Sequence, residues 1–254
     1  SSRGLEICDL SGDAGLSSQK QPAEQDLHLA EQLSSYFRLD DDLDLIYSEM
    51  SKDAPLSLAI HSCWGLRLLR QDPWECLASF ICSVDSNIPR IMGTIEQLAQ
   101  VYGEPIANSI EGISAFPPAS ALAEAGEEAL RGLGLGFRAP FLWKTAQRVA
   151  QGDLDLNRLF LMSYDEAKAQ LLTLPGVGDK VADCTLAFSL DKPEAFPIDR
   201  WVRRALEEEY LNGERLSDRK LGNWARERFG SLGSYAQQYL FQWKRAQRKR
   251  SIAD

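Results

Sequence analysis

Hydrophobic positions along this chain recur mostly at helical spacing. Leu39, Leu43, Ile46, Tyr47 and Met50 fall at i, i+4, i+7, i+8 and i+11, which predicts a helix with one apolar stripe. Ile91, Ile95, Leu98 and Val101 repeat the pattern, and Pro73 opens another helical run through Phe80 and Cys82, as proline does at a first helical position. The punctuation agrees: Gly103, Gly134 and Gly136 sit where segments close, and Pro117-Pro118 opens the next. Residues 4–11 alternate weakly like a strand, and residues 12–22 read as a polar linker. One strand makes no sheet and the chain supplies no clear partner for it. The chain also begins on Ser1, and an absent N-terminal portion accounts for both observations.

The 254 residues set the scale at one large or two modest domains. No apolar run approaches the roughly 18 residues that span a bilayer, and no charged-then-apolar leader is present, so a membrane or secreted role is not expected. Five cysteines, at 8, 63, 76, 82 and 184, form no C-x-x-C, which argues against a disulfide framework or zinc knuckle and for a reducing intracellular compartment. The net charge of −9 opposes nucleic-acid binding at first sight. Its distribution removes the objection: residues 1–60 carry 12 acidic and 4 basic side chains, and residues 61–254 carry 25 and 24. The run Asp40-Asp41-Asp42-Leu43-Asp44 reads as a solvated helix start. The tail from Lys244 to Arg250 is basic, either as a frayed end or as a phosphate contact.

The segment 163–190 carries the most chemistry. Ser163 followed by Glu166 is a capping box that starts one helix. Leu174-Pro175-Gly176-Val177-Gly178 ends it, and Lys180–Leu190 reads as a second helix. In such a helix-hairpin-helix, Gly176 and Gly178 permit positive φ and a close backbone approach. The amides around Val177 can then cradle a phosphate together with the second helix's N-terminus. An ordinary turn with a glycine cap is the alternative, and the combination Pro-Gly-Val-Gly with the following lysine favours DNA.

Lys180 lies in the first turn of the second helix, where the dipole opposes a positive charge and burial would free the amine as a nucleophile. Cys184 shares its face at i+4. A solvated phosphate-binding lysine and a small buried hydrophobe are the competing readings, and spacing does not choose between them. Asp199, in Phe196-Pro197-Ile198-Asp199-Arg200-Trp201, reads as the N-cap of a further helix. A carboxylate fixed there and facing the hairpin could also stabilise a cationic sugar as its base leaves.

These residues resemble the 8-oxoguanine DNA glycosylase/lyase family of the helix-hairpin-helix (HhH-GPD) glycosylase superfamily. The resemblance extends through Tyr36-Phe37-Arg38-Leu39-Asp40, Gly65 to Pro73, Phe80-Ile81-Cys82-Ser83, Leu133 to Ala139 and Asp191-Lys192-Pro193, in family order and over roughly residues 36–245. It implies a mainly α fold: a two-lobed helical body over residues 23–254, preceded in residues 1–22 by a remnant strand of an N-terminal β-domain and a linker. It implies a bifunctional base-excision-repair enzyme that removes 8-oxoguanine from duplex DNA, preferably opposite cytosine. It acts as a monomer on double-stranded DNA containing oxidised guanine, with no metal or organic cofactor. The compartment would be the cytoplasm (nucleoid) of a bacterium or the nucleus of a eukaryote. A glycosylase for another damaged base, or a non-catalytic hairpin module, are the alternatives; retention of both Lys180 and Asp199 speaks against the module.

Residue by residue, the resemblance makes Lys180 the Schiff-base nucleophile and Asp199 the essential aspartate. Cys184 and Phe241 sandwich the flipped purine and Gln237 contacts its Watson–Crick edge. The i, i+4 spacing of Gln237 and Phe241 suits that division of labour. Arg90, Phe137 and Arg138 match the group around the estranged cytosine. In Asp85-Ser86-Asn87 the family carries consecutive asparagines, so Asp85 stands where an asparagine would contact that cytosine. Trp201 replaces a histidine found in some members.

Overall fold

The computed structural model describes residues 24–106 and 112–253. The strand expected at 4–11 and the linker at 12–22 lie outside the described residues. Those described form thirteen α-helices: α1 (Glu24–Tyr36), α2 (Leu43–Met50), α3 (Ala54–Ser62), α4 (Pro73–Cys82), α5 (Ile88–Tyr102), α6 (Ala119–Leu130), α7 (Ala139–Ala150), α8 (Leu156–Leu161), α9 (Tyr164–Leu171), α10 (Asp179–Ser189), α11 (Arg200–Glu209), α12 (Asp218–Phe229) and α13 (Gly233–Ala253). An isolated antiparallel bridge, Pro105 to Ser114, is the β pairing among them.

Local chemistry sets most boundaries. Asp42, Asp53, Asp72, Asn87, Asp155 and Asp199 each cap a helix by accepting a backbone N–H, and Ser163 with Glu166 completes the expected capping box. Asp42 thereby confirms the acidic run as a helix start. The stripe that began at Leu39 is corrected: α2 starts at Leu43, because Arg38 turns the backbone left-handed at φ +48°. That turn is held from far away in the chain. Arg38 and Arg70 converge on Asp191, Arg70 Nε lying 2.9 Å from Oδ2. The family-like segments around residues 36, 70 and 191 thus meet at one carboxylate.

The packing falls into two groups. α4 lies against α10, with α5–α9 around them, and α13 lies against α3, α11 and α12. One continuous apolar core runs through both. Residues 190–199 cross from the first group to the second along α13, which holds their alternate carbonyls. Ser234 N–H donates to Pro193 O at 2.8 Å, Ser234 Oγ to Ala195 O at 2.9 Å, and Gln237 Nε2 to Pro197 O at 3.0 Å. This crossing delivers Asp199 to the seam between the groups.

Candidate active site

A cavity of about 880 Å³ opens along that seam. Its walls come from α4, residues 83–88, the hairpin, α10, the start of α11 and α13. Lys180, Cys184, Asp199, Gln237 and Phe241, expected from distant parts of the sequence, all line it.

Lys180 is half-buried in the first turn of α10. Its Nζ lies 3.2 Å from Ser83 Oγ and 4.9 Å from the centroid of the Phe80 ring. Both partners are neutral, so the amine is positioned without being locked into an ion pair. Asp199 accepts from Trp201 N at 2.9 Å and Val202 N at 2.8 Å, both through Oδ1. The cap fixes the carboxylate plane, which is the expected structural reading, while the group still borders the cavity. Cys184 is enclosed, and burial pushes its thiol up to about 12, Asp199 reinforcing the shift and Lys180 opposing it. The neutral thiol offers a polarizable wall rather than a second nucleophile.

Gln237 is 3% exposed and its amide is bonded at both ends, to Pro197 O and, through Oε1, to Gln238 Nε2 at 2.9 Å. Phe241 is half-buried one turn further along α13, with Arg245 Cζ 5.9 Å from its ring centroid.

In the hairpin Gly176 adopts φ +76°, and a Cβ there would fall 2.3 Å from Cδ2 of the Phe141 ring. Val177 is buried and donates its N–H to Leu174 O at 3.2 Å, while Gly178 is exposed and caps α10 with open space around it. The turn is therefore anchored on one side and bare on the other, where backbone amides can meet an anion.

The group expected near the orphaned base separates into surface and support. Phe137 is 48% exposed and Arg90 is exposed, donating to Gly134 O at 3.3 Å. Arg138, by contrast, is 4% exposed. It donates to the carbonyls of Val84 and Asp85, the latter at 2.7 Å, and its Cζ lies 4.5 Å from the Phe137 ring centroid. It braces the 84–85 loop and the Phe137 ring. Asp85 sits at φ +46°, a left-handed conformation open to both Asp and Asn, so the loop's shape does not depend on which of the two stands there. Asn87 is occupied as the cap of α5, accepting Arg90 N at 3.1 Å. Phe80 and Ser83 stood in a family-like segment of the sequence without a site role, and Gln238 was not singled out; each reaches the site through a contact that only the folded chain makes. Among the described residues no three His, Cys, Asp or Glu side chains converge as metal ligands would.

A helical hairpin with bare amides, beside a seam holding an amine and a carboxylate, is the architecture of the helix-hairpin-helix DNA glycosylases. A family model described as the 8-oxoguanine DNA glycosylase N-terminal domain matches residues 7–77. A probable N-glycosylase/DNA lyase of Methanothermobacter thermautotrophicus is 34% identical over 233 residues, covering 84% of this chain and 74% of that protein. The N-glycosylase/DNA lyase of Saccharomyces cerevisiae is 34% identical over 191 residues, 70% of this chain and 50% of the yeast protein. The crystal structure of the Clostridium acetobutylicum 8-oxoguanine glycosylase/lyase, in complex with double-stranded DNA containing cytosine opposite 8-oxoG, superposes with a TM-score of 0.84 at 36% identity. That match covers 89% of this chain and 77% of the other. The chain belongs to the 8-oxoguanine DNA glycosylase/lyase family.

Proposed function

We propose that Lys180 and Asp199 are the reacting pair of a base-excision-repair N-glycosylase/DNA lyase that removes 8-oxoguanine from duplex DNA. The observation that carries the assignment is their meeting in one cavity, Lys180 beside neutral Ser83 and Phe80 and Asp199 immobilised by its cap.

The hairpin amides around Gly176, Val177 and Gly178 take a backbone phosphate, and the damaged nucleotide turns out of the stack into the seam. Cys184 and Phe241 flank its ring and Gln237 faces its polar edge. As the bond from the sugar to the base breaks, Asp199 stabilises the positive charge growing on the sugar, and Lys180 Nζ attacks C1′. The departing base takes the proton that the attacking amine gives up. The C1′–O4′ bond then opens, O4′ taking a proton, so that the amine and C1′ become a Schiff base, and loss of a proton from C2′ expels the C3′ oxygen with its phosphate and cuts the strand. Phe137 enters the vacated stack and Arg90 meets the orphaned cytosine, with Asp85 able to accept from its N4 amino group. Arg138 acts behind them as the brace.

The partner is double-stranded DNA containing oxidised guanine, met by one copy of the chain, since a single chain supplies every group named. No helix of the described residues is long and apolar enough to cross a membrane. The compartment is the one that holds the DNA, cytoplasm or nucleus according to the cell. Residues 1–22 are assigned to the end of an N-terminal β-domain and a linker.

Borohydride trapping on an 8-oxoguanine:cytosine duplex tests the assignment. The expected result is a covalent protein–DNA adduct that disappears in Lys180→Gln. No adduct with the unaltered chain, or an undiminished one with Lys180→Gln, overturns it.

A further inference from the structure

Gln237 and Gln238 are neighbours on α13, and adjacent helical side chains diverge by about 100°. Both nevertheless line the same cavity and are hydrogen-bonded to each other. The polarity of that bond is dictated by chemistry. Pro197 offers a carbonyl, which can only accept, so Gln237 must present its NH2 to it. The Gln237 oxygen is thereby turned to the other side, where it accepts from Gln238 Nε2 at 2.9 Å. One N–H and one lone pair of Gln237 are left for a ligand, in a fixed order.

That order matters because purine edges come in two polarities. A guanine-type edge places an acceptor, O6, beside a donor, N1–H. An adenine-type edge places a donor, the N6 amino group, beside an acceptor, N1. A freely rotating carboxamide reads either by turning over. One pinned at both ends reads one.

We propose that Gln238 is a specificity-determining residue: it locks the base-reading amide of Gln237 in the orientation that accepts a guanine-type edge and refuses an adenine-type one. The inference rests on the reading of this seam as the damaged-base pocket. Gln238 touches neither reacting atom and acts through Gln237, as a positioning residue. The Pro197 bond supplies the first pin and also belongs to the series of bonds that carries the backbone to Asp199, so Gln237 cannot be replaced without disturbing the carboxylate. Gln238 can.

The test compares Gln238→Leu, which keeps side-chain bulk and removes the donor, with Gln238→Glu, whose carboxylate accepts and would draw the Gln237 NH2 toward itself. Single-turnover excision is measured on duplexes carrying 8-oxoguanine and 8-oxoadenine, and borohydride trapping on a preformed abasic site. For Gln238→Leu the guanine-to-adenine rate ratio should fall about fivefold, the worth of one neutral hydrogen bond, and further for Gln238→Glu. Abasic-site trapping should be unchanged, because no base remains to be read. An unaltered ratio overturns the proposal, as does a ratio change matched by an equal loss at the abasic site.

A second measurement does not depend on catalysis. In the free protein the Gln237 side-chain amide protons, assigned by NMR through their loss in Gln237→Leu, should be slow to exchange and should exchange measurably faster in Gln238→Leu, where the Pro197 bond alone holds the amide. Fast exchange in the unaltered chain sinks the pin. If the unaltered chain excises neither lesion, the assignment of function fails, and the exchange experiment still decides whether Gln238 holds the amide.

Discussion

Replacing Gly176 by alanine puts two costs on one atom. At φ +76° an L-residue pays about 1–2 kcal/mol for its Cβ. That Cβ would also lie 2.3, 2.5 and 2.9 Å from Cδ2, Cγ and Cε2 of Phe141, all inside contact distance. The ring also packs against the core and edge-on to Phe137, at a centroid distance of 6.2 Å, so moving it away disturbs those contacts. Overpacking of this kind costs about 1–3 kcal/mol, so the total loss should be about 3 kcal/mol. Urea unfolding reads it directly. Affinity for an undamaged duplex should fall as well, because the displaced turn no longer aims its amides at one phosphate. A double-mutant cycle with Phe141→Leu separates the parts. The steric share should vanish in the double variant while the share due to φ remains, giving a coupling of about 1–2 kcal/mol. A loss below about 0.5 kcal/mol for Gly176→Ala, the range of an ordinary surface change, would refute the close-packed hairpin. Zero coupling to Phe141 would refute the ring as its cause.

Asp199→Asn should leave stability within about 0.5 kcal/mol, since asparagine caps as well as aspartate. It should slow single-turnover excision by about 10²-fold through loss of the negative charge, a combination read by thermal melts beside quench kinetics. Cys184 should resist a thiol alkylating agent across neutral pH in the folded protein, its thiol being held up to about 12 by burial, and should react once urea unfolds the chain; rapid labelling of native Cys184 would contradict the enclosed wall. Asp183 is buried against Lys168 Nζ at 3.0 Å and the Tyr164 hydroxyl at 2.7 Å, with burial pushing its carboxyl above the ordinary range and those partners opposing it. Lys168→Met strands that carboxylate at a cost of about 3–5 kcal/mol. Because its folded pKa then lies still further above the unfolded one, the deficit should be smallest in acid and grow as pH rises above the ordinary value of 3.8. Addition of Asp183→Asn should flatten the pH dependence in urea titrations.

What could be read from sequence was what local chemistry decides. Ser163 with Glu166, the glycines of the hairpin and the Asp199 cap stand within a few residues of what they bond, and each is where its spacing placed it. The second hairpin helix begins at Asp179, one residue before the expected Lys180. The stripe from Leu39 broke because Arg38 answers to Asp191, 153 residues away, and not to its neighbours. Arg138, expected among the residues around the orphaned cytosine, is buried here with its guanidinium on the carbonyls of Val84 and Asp85, a tertiary contact that its sequence neighbours do not signal. That Ser83 and Phe80 would flank Lys180 depends on the packing of α4 against α10 and has no signal in their own segment. The cavity itself has no linear signature, as it exists between two groups of helices.

Helix α10 has nine of its eleven residues buried, Val181 through Ser189, and its exposed first turn carries Lys180. The amine proposed to react is thus rooted in a buried segment, which should open only with global unfolding. Backbone amides from residue 183 onward should exchange with solvent at the rate of whole-molecule unfolding, while those at 85–88, on the opposite lip, exchange far sooner. Such a division separates two kinds of inherited change. If the lip reads the opposite base as proposed, drift there would retune which base is accepted at little thermodynamic cost. Drift in α10 would have to preserve both the chemistry and the fold at once, so new substrate preferences in this lineage should arise on the lip and on α13, with α10 held constant.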